Sequence, residues 1–171
     1  MDFISHGLWG GIAFGRKNKK DFWWSFSIGI APDVLSFGIF FAMTILGIIE
    51  RPNFGVGPHN PDSFPSIIYT LYNITHSLVT FGVVFLVLWF ILKKPFLPLW
   101  AWGFHVVLDI FTHSFEFFPT PFLWPLSDYK LDAWMWGNWW IFIPNLILLI
   151  VLYSWFFTVK LKKRNRQVEG L

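Results

Sequence analysis

Cysteine is absent from the 171-residue chain, and charge is scarce: 13% of the residues are charged, against 55% hydrophobic. Without cysteine there is no disulfide framework and no thiolate metal site, so any metal must be held by imidazole and carboxylate. Thirteen glycines and eleven prolines do not make a collagen repeat, and the apolar content is too high for a disordered chain. So little charge also leaves an ordinary soluble domain short of polar surface. The net charge of +3 does not point to nucleic acid, because the basic residues sit in clusters between apolar runs, not along one face. The Gly-rich phosphate loop, the nucleophile elbow and the HExxH motif are missing too. A nucleotide enzyme, a serine hydrolase and a zincin therefore have no direct support.

What the chain has instead is aromatic and aliphatic bulk, with 12 Trp and 22 Phe, arranged in long apolar runs. A helix of about 20 apolar residues crosses a hydrocarbon core about 30 Å thick. Residues 22–49, 67–92, 96–118 and 134–159 each meet that length. A shorter run, residues 3–15, covers about half the thickness and reads as a re-entrant, tilted or interfacial helix. Asp2 precedes that run and its basic residues follow it, the reverse of a secretory signal. The expected fold is all-α: a polytopic membrane bundle of four transmembrane helices plus a short N-terminal half-membrane helix, in a single domain spanning 1–171.

Orientation follows from the basic residues, because loops rich in Lys and Arg stay cytoplasmic. Eleven of thirteen fall on one side, at Arg16 to Lys20, at Lys93 and Lys94, and at Lys160 to Arg166. Only Arg51 and Lys130 fall on the other, where they anchor the interface or hold an anionic head group. A multi-pass protein of the cell membrane with a cytoplasmic C-terminus is expected. Trp23, Trp24, Trp100, Trp124, Trp134 and Trp136 lie near span ends, where indole rings favour the interface. The outer stretch from Glu50 to Ser66 is a turn-rich loop punctuated by Pro and Gly, and residues 119–133 form a hydrophobic surface loop.

Ionisable side chains inside spans are costly, and each is a functional candidate by default. His6 lies in the half-span, Asp33 in the first span, His76 in the second, and His105, Asp109, His113 and Glu116 in the third. His59 alone among the five histidines sits in a loop, where solvation explains it. His105, Asp109 and His113 recur every four residues and so share one helical face. At about 1.5 Å per residue from the cytoplasmic charges, His6, Asp33, His76, His105 and Asp109 lie roughly 15 to 25 Å deep. They can meet at one level, in the middle and outer half of the bilayer, with His113 nearer the outer mouth. Imidazole and carboxylate together suit zinc, with manganese or iron as alternatives. A hydrogen-bonded network of protonated Asp and neutral His is the metal-free reading. Pro32 disturbs the helix beside Asp33, and Ser5, Thr75, Ser77, Thr112 and Ser114 flank the histidines, where hydroxyls either orient ligands or bond to their own helix.

Ser5-His6-Gly7-Leu8-Trp9, Ala31-Pro32-Asp33, Thr75-His76-Ser77-Leu78, His105-x3-Asp109-x2-Thr112-His113 and Leu123-Trp124-Pro125-Leu126-Ser127 occur in this order. Together they resemble the small membrane-bound, predicted metal-dependent hydrolases of prokaryotes, a family that includes LexA-regulated inner-membrane members. The likeness extends from residue 5 to about residue 127. It implies metal-site roles for His6, Asp33, His76, His105 and Asp109, and a distant similarity to zinc-dependent phospholipase C. Two departures mark this chain. Leu35 stands where many members carry a second Asp, and Leu71-Tyr72 where many carry a His-Arg pair.

The expected function is a membrane-embedded, metal-dependent hydrolase of an ester or phosphoester linked to a lipid of the surrounding bilayer, without a nucleic-acid partner. A metal there acts as a Lewis acid, bringing the pKa of water to about 7 and polarising a phosphoryl or carbonyl oxygen. Asp33 and Asp109 are the candidates for general base, with Glu116 a more distant third, and His113 joins the candidate ligands. The alternatives are a divalent-metal or proton-coupled transporter and a noncatalytic protein with a structural metal.

Overall fold

A computed structural model describes residues 1–49 and 64–169 of the chain, with side chains through residue 159. The loop that contains His59 and Arg51, and the basic side chains from Lys160 onward, lie outside the described residues. Every regular element among the described residues is helical. Helix α1 (Phe3–Phe14) starts where the Asp2 side chain accepts from the Ser5 amide and ends at Gly15. Helix α2 (Lys19–Asp33) is capped by Asn18, which accepts from the Asp21 amide. It runs through Pro32 into a wide π turn (Val34–Gly38) and then into α3 (Ile39–Ile45). Together these form one apolar helical stretch, Lys19–Ile45, of 27 residues.

The run expected as the second span is two helices, α4 (Ser66–Thr75) and α5 (Leu78–Leu92), bent by 57°. The bend has a local cause. Ser77 is extended and its hydroxyl oxygen accepts from the Val79 and Thr80 amides, so a capping residue restarts the helix inside the apolar run. The same hydroxyl donates to the Trp124 carbonyl.

The third expected span is shorter than its apolar run. A 3₁₀ turn (Leu97–Leu99) leads into α6 (Trp100–Thr112), and His113 leaves the helix with an extended ψ of 136°. From Leu97 to Thr112 the helical length is about 24 Å at 1.5 Å per residue, short of a core of about 30 Å. The helix stops because other segments take its last carbonyls: the Trp136 amide donates to the Thr112 oxygen and the Ala133 amide to the His113 oxygen. Helix α7 (Trp139–Glu169) supplies a further apolar stretch over Trp139–Val159. Among the described residues two helices are thus long and apolar enough to cross a membrane, or three if the bent α4–α5 pair is one span. The all-helical expectation holds, and among the described residues two or three of the four expected spans meet that length and composition.

The distribution of polarity is inverted relative to a soluble fold. Leu86, Phe90 and Ile91 on α5, and Trp139, Ile150 and Val151 on α7, are exposed, whereas the least exposed side chains include His6, Asp33, His76, His105 and Asp109. Such an exterior suits hydrocarbon. Helix α1 lies against α2, α6 and α7. Its crossing with α2 is tight: a Cβ added at Gly29 would sit 2.7 Å from the His6 carbonyl oxygen, and one at Gly7 would meet Ile30 and Phe26 within 2.8 Å. Small residues at this crossing bring His6 against the neighbouring helices. Trp9 donates to Asn145 Oδ1, Asn145 donates to Ser5 Oγ, and Tyr153 donates to the Leu8 carbonyl, tying α1 to α7. An aromatic core of Phe37, Phe40, Phe64, Tyr72 and Phe118, with Ile68, fills the other end of the bundle.

Candidate metal centre

Four elements deliver the polar group. Asp33 ends α2, His76 sits at the break between α4 and α5, His105 and Asp109 share one face of α6, and His6 comes from α1. Asp33, His76, His105 and Asp109 each present one donor atom, and the four atoms lie within 4.8 Å of one another, all buried. His76 Nε2 is 3.3 Å from Asp33 Oδ1 and 3.1 Å from His105 Nε2. His105 Nε2 is 3.2 Å from Asp109 Oδ2.

The protons on the two imidazoles are placed by what their other nitrogens touch. His105 Nδ1 is 2.7 Å from the Gly29 carbonyl, which only accepts, so Nδ1 carries the proton and Nε2 a lone pair. His76 Nδ1 lies 3.2 Å from the Tyr72 carbonyl and 3.0 Å from Thr75 Oγ1, whose own proton goes to the Leu71 carbonyl. His76 Nε2 is therefore also a lone pair. Two imidazole lone pairs and two carboxylates, all acceptors when ionised, thus converge on one point. Asp33 Oδ2 and Asp109 Oδ2 have no hydrogen-bond partner among the described residues. Buried acceptors without a donor are costly, and a divalent cation relieves all four at once. The residues present therefore fit a metal.

His6 and His113 occupy the opposite side of Asp109. His6 Nε2 is 2.9 Å from Asp109 Oδ1, and its ring stacks on His105 with centroids 3.6 Å apart. His113 donates through Nδ1 to the Phe118 carbonyl at 2.8 Å and places Nε2 3.4 Å from Asp109 Oδ1. The Met1 amino group lies among them, bonded to Asp109 Oδ1 and 3.3 Å from Thr112 Oγ1. Asp109 is thus the hub, with Oδ2 facing His76 and His105 and Oδ1 facing His6 and His113. His113 arrives from extended backbone beyond α6, not from the next turn of a continuous helix. Glu116 is exposed and stands outside the group.

Some contributors carry no signal of their own in the sequence. Tyr72 stacks on His76 with centroids 3.9 Å apart and donates its hydroxyl to the Phe118 carbonyl at 2.8 Å. Its position four residues before His76 is the one clue, since i and i+4 share a helical face. The carbonyl of Gly29 and the carbonyl of Phe118 are backbone atoms, which residue type does not announce. No known protein family, no characterised protein and no solved structure matches this chain.

Proposed function

We propose that Asp33, His76, His105 and Asp109 hold a divalent cation, and that the protein is a membrane-embedded hydrolase acting on an ester or phosphoester presented by a lipid. The observation that carries the metal is the convergence of four acceptor atoms with no donor between them. Zinc is the first choice for this donor set, with manganese and iron as alternatives. The chemistry a divalent cation supplies in such a nest is Lewis acidity toward water and toward a phosphoryl or carbonyl oxygen.

The chain's own residues have separable tasks. His105 and His76 are held by the Gly29 and Tyr72 carbonyls with their Nε2 atoms inward, which fixes tautomer and ring orientation. Asp109, hydrogen-bonded to His6, is constrained as a ligand. Asp33 is the one member of the four that also lines a cavity beside the group, and its Oδ2 is unpartnered, so Oδ2 is the atom that takes a proton from attacking water. The resemblance to membrane-bound metal-dependent hydrolases supports metal-site roles for Asp33, His76, His105 and Asp109.

The test is metal analysis of the purified protein followed by assay. Replacing His105 and Asp109 together with Ala removes most bound metal from a protein that still folds. Chelation abolishes turnover of a panel of phospholipids, isoprenoid phosphates and acyl esters, and metal restores it. Metal movement across liposomes, with no ester cleaved, would replace the hydrolase with a transporter.

A further inference from the structure

A cavity of about 410 Å³ adjoins the metal centre. Its wall is aromatic and aliphatic: Phe37, Phe40, Phe41, Phe117 and Trp136, with Ile4 at the edge. Ile4 is 66% exposed and Phe41 47%, whereas Phe37 and Phe40 are buried, so the mouth lies at Ile4 and Phe41 and the floor at Phe37 and Phe40. Polar residues gather at the inner end. Asp33 and His113 both line the cavity and both touch the metal group, and Met1 beside them reaches Asp109. The volume falls among small-ligand sites, which run about 300–1,000 Å³. An apolar wall gives water too few partners to hold it, whereas it is the environment a hydrocarbon chain prefers.

The far side of the metal centre is closed. His105 is pinned to the Gly29 carbonyl of α2, Tyr72 covers His76, and His6 stacks on His105. His6, His76, His105 and Asp109 are each no more than 1% exposed. A lipid whose chain fills the cavity therefore brings its polar end to Asp33 with no room for a large head group beyond. Among the described residues no Lys or Arg side chain lines the cavity, whose lining carries the Met1 amino group bonded to Asp109 and the acidic Asp2, so an anionic end relies on the proposed cation and that amine.

We propose that the substrate is a single-chain lipid phosphate monoester, its hydrocarbon chain in this cavity and its terminal phosphate at the metal centre. The inference rests on the hydrolase reading and narrows it. In the reaction a water oxygen bonds to phosphorus while the bond from phosphorus to the chain oxygen breaks. The electron pair leaves on that oxygen, one water proton passes to Asp33 Oδ2 and from there to the departing oxygen, and the other stays on the phosphate. The products are a long-chain alcohol and inorganic phosphate.

The experiment uses metal-loaded protein in nanodiscs with three probes: dodecyl phosphate, butyl phosphate and dodecylphosphocholine. Turnover is read as released phosphate or choline phosphate, and equilibrium binding is measured with radiolabelled probes against empty nanodiscs. Dodecyl phosphate should exceed butyl phosphate in kcat/KM by at least about a hundredfold, given the apolar area of eight further methylenes. Dodecylphosphocholine, with the same chain but a blocked phosphate, should not be cleaved. Ile4→Trp at the mouth should raise KM for dodecyl phosphate by about tenfold. Indifference to chain length, or equal cleavage of dodecylphosphocholine, overturns the inference. Cleavage of other esters with neither binding nor cleavage of dodecyl phosphate also overturns it, while leaving the hydrolase reading intact. Chain-length-dependent binding of dodecyl phosphate without any cleavage keeps the site and removes the hydrolase.

Discussion

At the scale of single residues, the two buried aspartates have different surroundings and so different expected failures. Asp109 faces His76 and His105 through one oxygen and His6 and His113 through the other, whereas Asp33 meets the group at its edge and borders the cavity. An amide at position 109 brings N–H donors into a ring of acceptors and abolishes the charge at the hub. Asp109→Asn should therefore lose most of its metal, read by mass spectrometry of the purified protein. Asp33→Asn, which keeps an amide oxygen for the cation, should hold more metal than Asp109→Asn and lose about 10²–10⁴-fold in turnover, the range for a general base. Equal metal loss in both variants would remove the distinction and leave Asp33 as a ligand alone. An ionisable residue in an apolar run signals itself in the sequence, and all six candidate ligands, four histidines and two aspartates, were legible for that reason. The tautomers were not, because they depend on the Gly29 and Tyr72 carbonyls.

At the scale of elements, the crossing of α1 and α2 sets where His6 stands. Gly29 serves both partners: its missing Cβ lets α1 approach, and its carbonyl holds His105. Gly29→Ala would press a methyl group to 2.7 Å from the His6 carbonyl oxygen, a contact that backbone must relieve by moving. The expected result is a loss of about 1–3 kcal/mol of stability from overpacking, with weakened metal binding. Thermal melts with and without metal check it, and a variant with unchanged metal affinity would show that the crossing does not position the site. The break at Ser77 and the exit of His113 from α6 belong to this scale too. Hydropathy runs straight through both places, but a hydroxyl cap and amides from distant segments decide them, so the expected continuous spans came out bent or short.

At the scale of the whole molecule, the described fold offers apolar exteriors to a bilayer and keeps its ionisable groups inside. Sidedness is expected from the basic residues: Ser127→Cys should react with an impermeant thiol reagent in intact cells, whereas Gln167→Cys should react only after permeabilisation. The reverse pattern would invert the molecule. Metal should also stabilise the bundle as a unit, since the proposed cation would join groups from α2, the α4–α5 break and α6. At a metal concentration about 100 times Kd the gain is about 2.7 kcal/mol. A rise in melting temperature that disappears in the His105→Ala and Asp109→Ala double variant confirms it, and a rise that persists there places the metal elsewhere.

Composition and order alone determined that the chain is all-helical and apolar outside, and which ionisable residues it places within apolar runs. Those properties follow from transfer energies and helical periodicity, which act residue by residue and can be read one residue at a time. Tertiary structure alone decided that Asp33, His76, His105 and Asp109 present their lone pairs to one point, that Asp109 divides its oxygens between two pairs of histidines, and that an aromatic cavity ends there. Each of these depends on backbone carbonyls, helix crossings and chain exits supplied by segments far apart in sequence, and such contacts come into being only when the bundle packs.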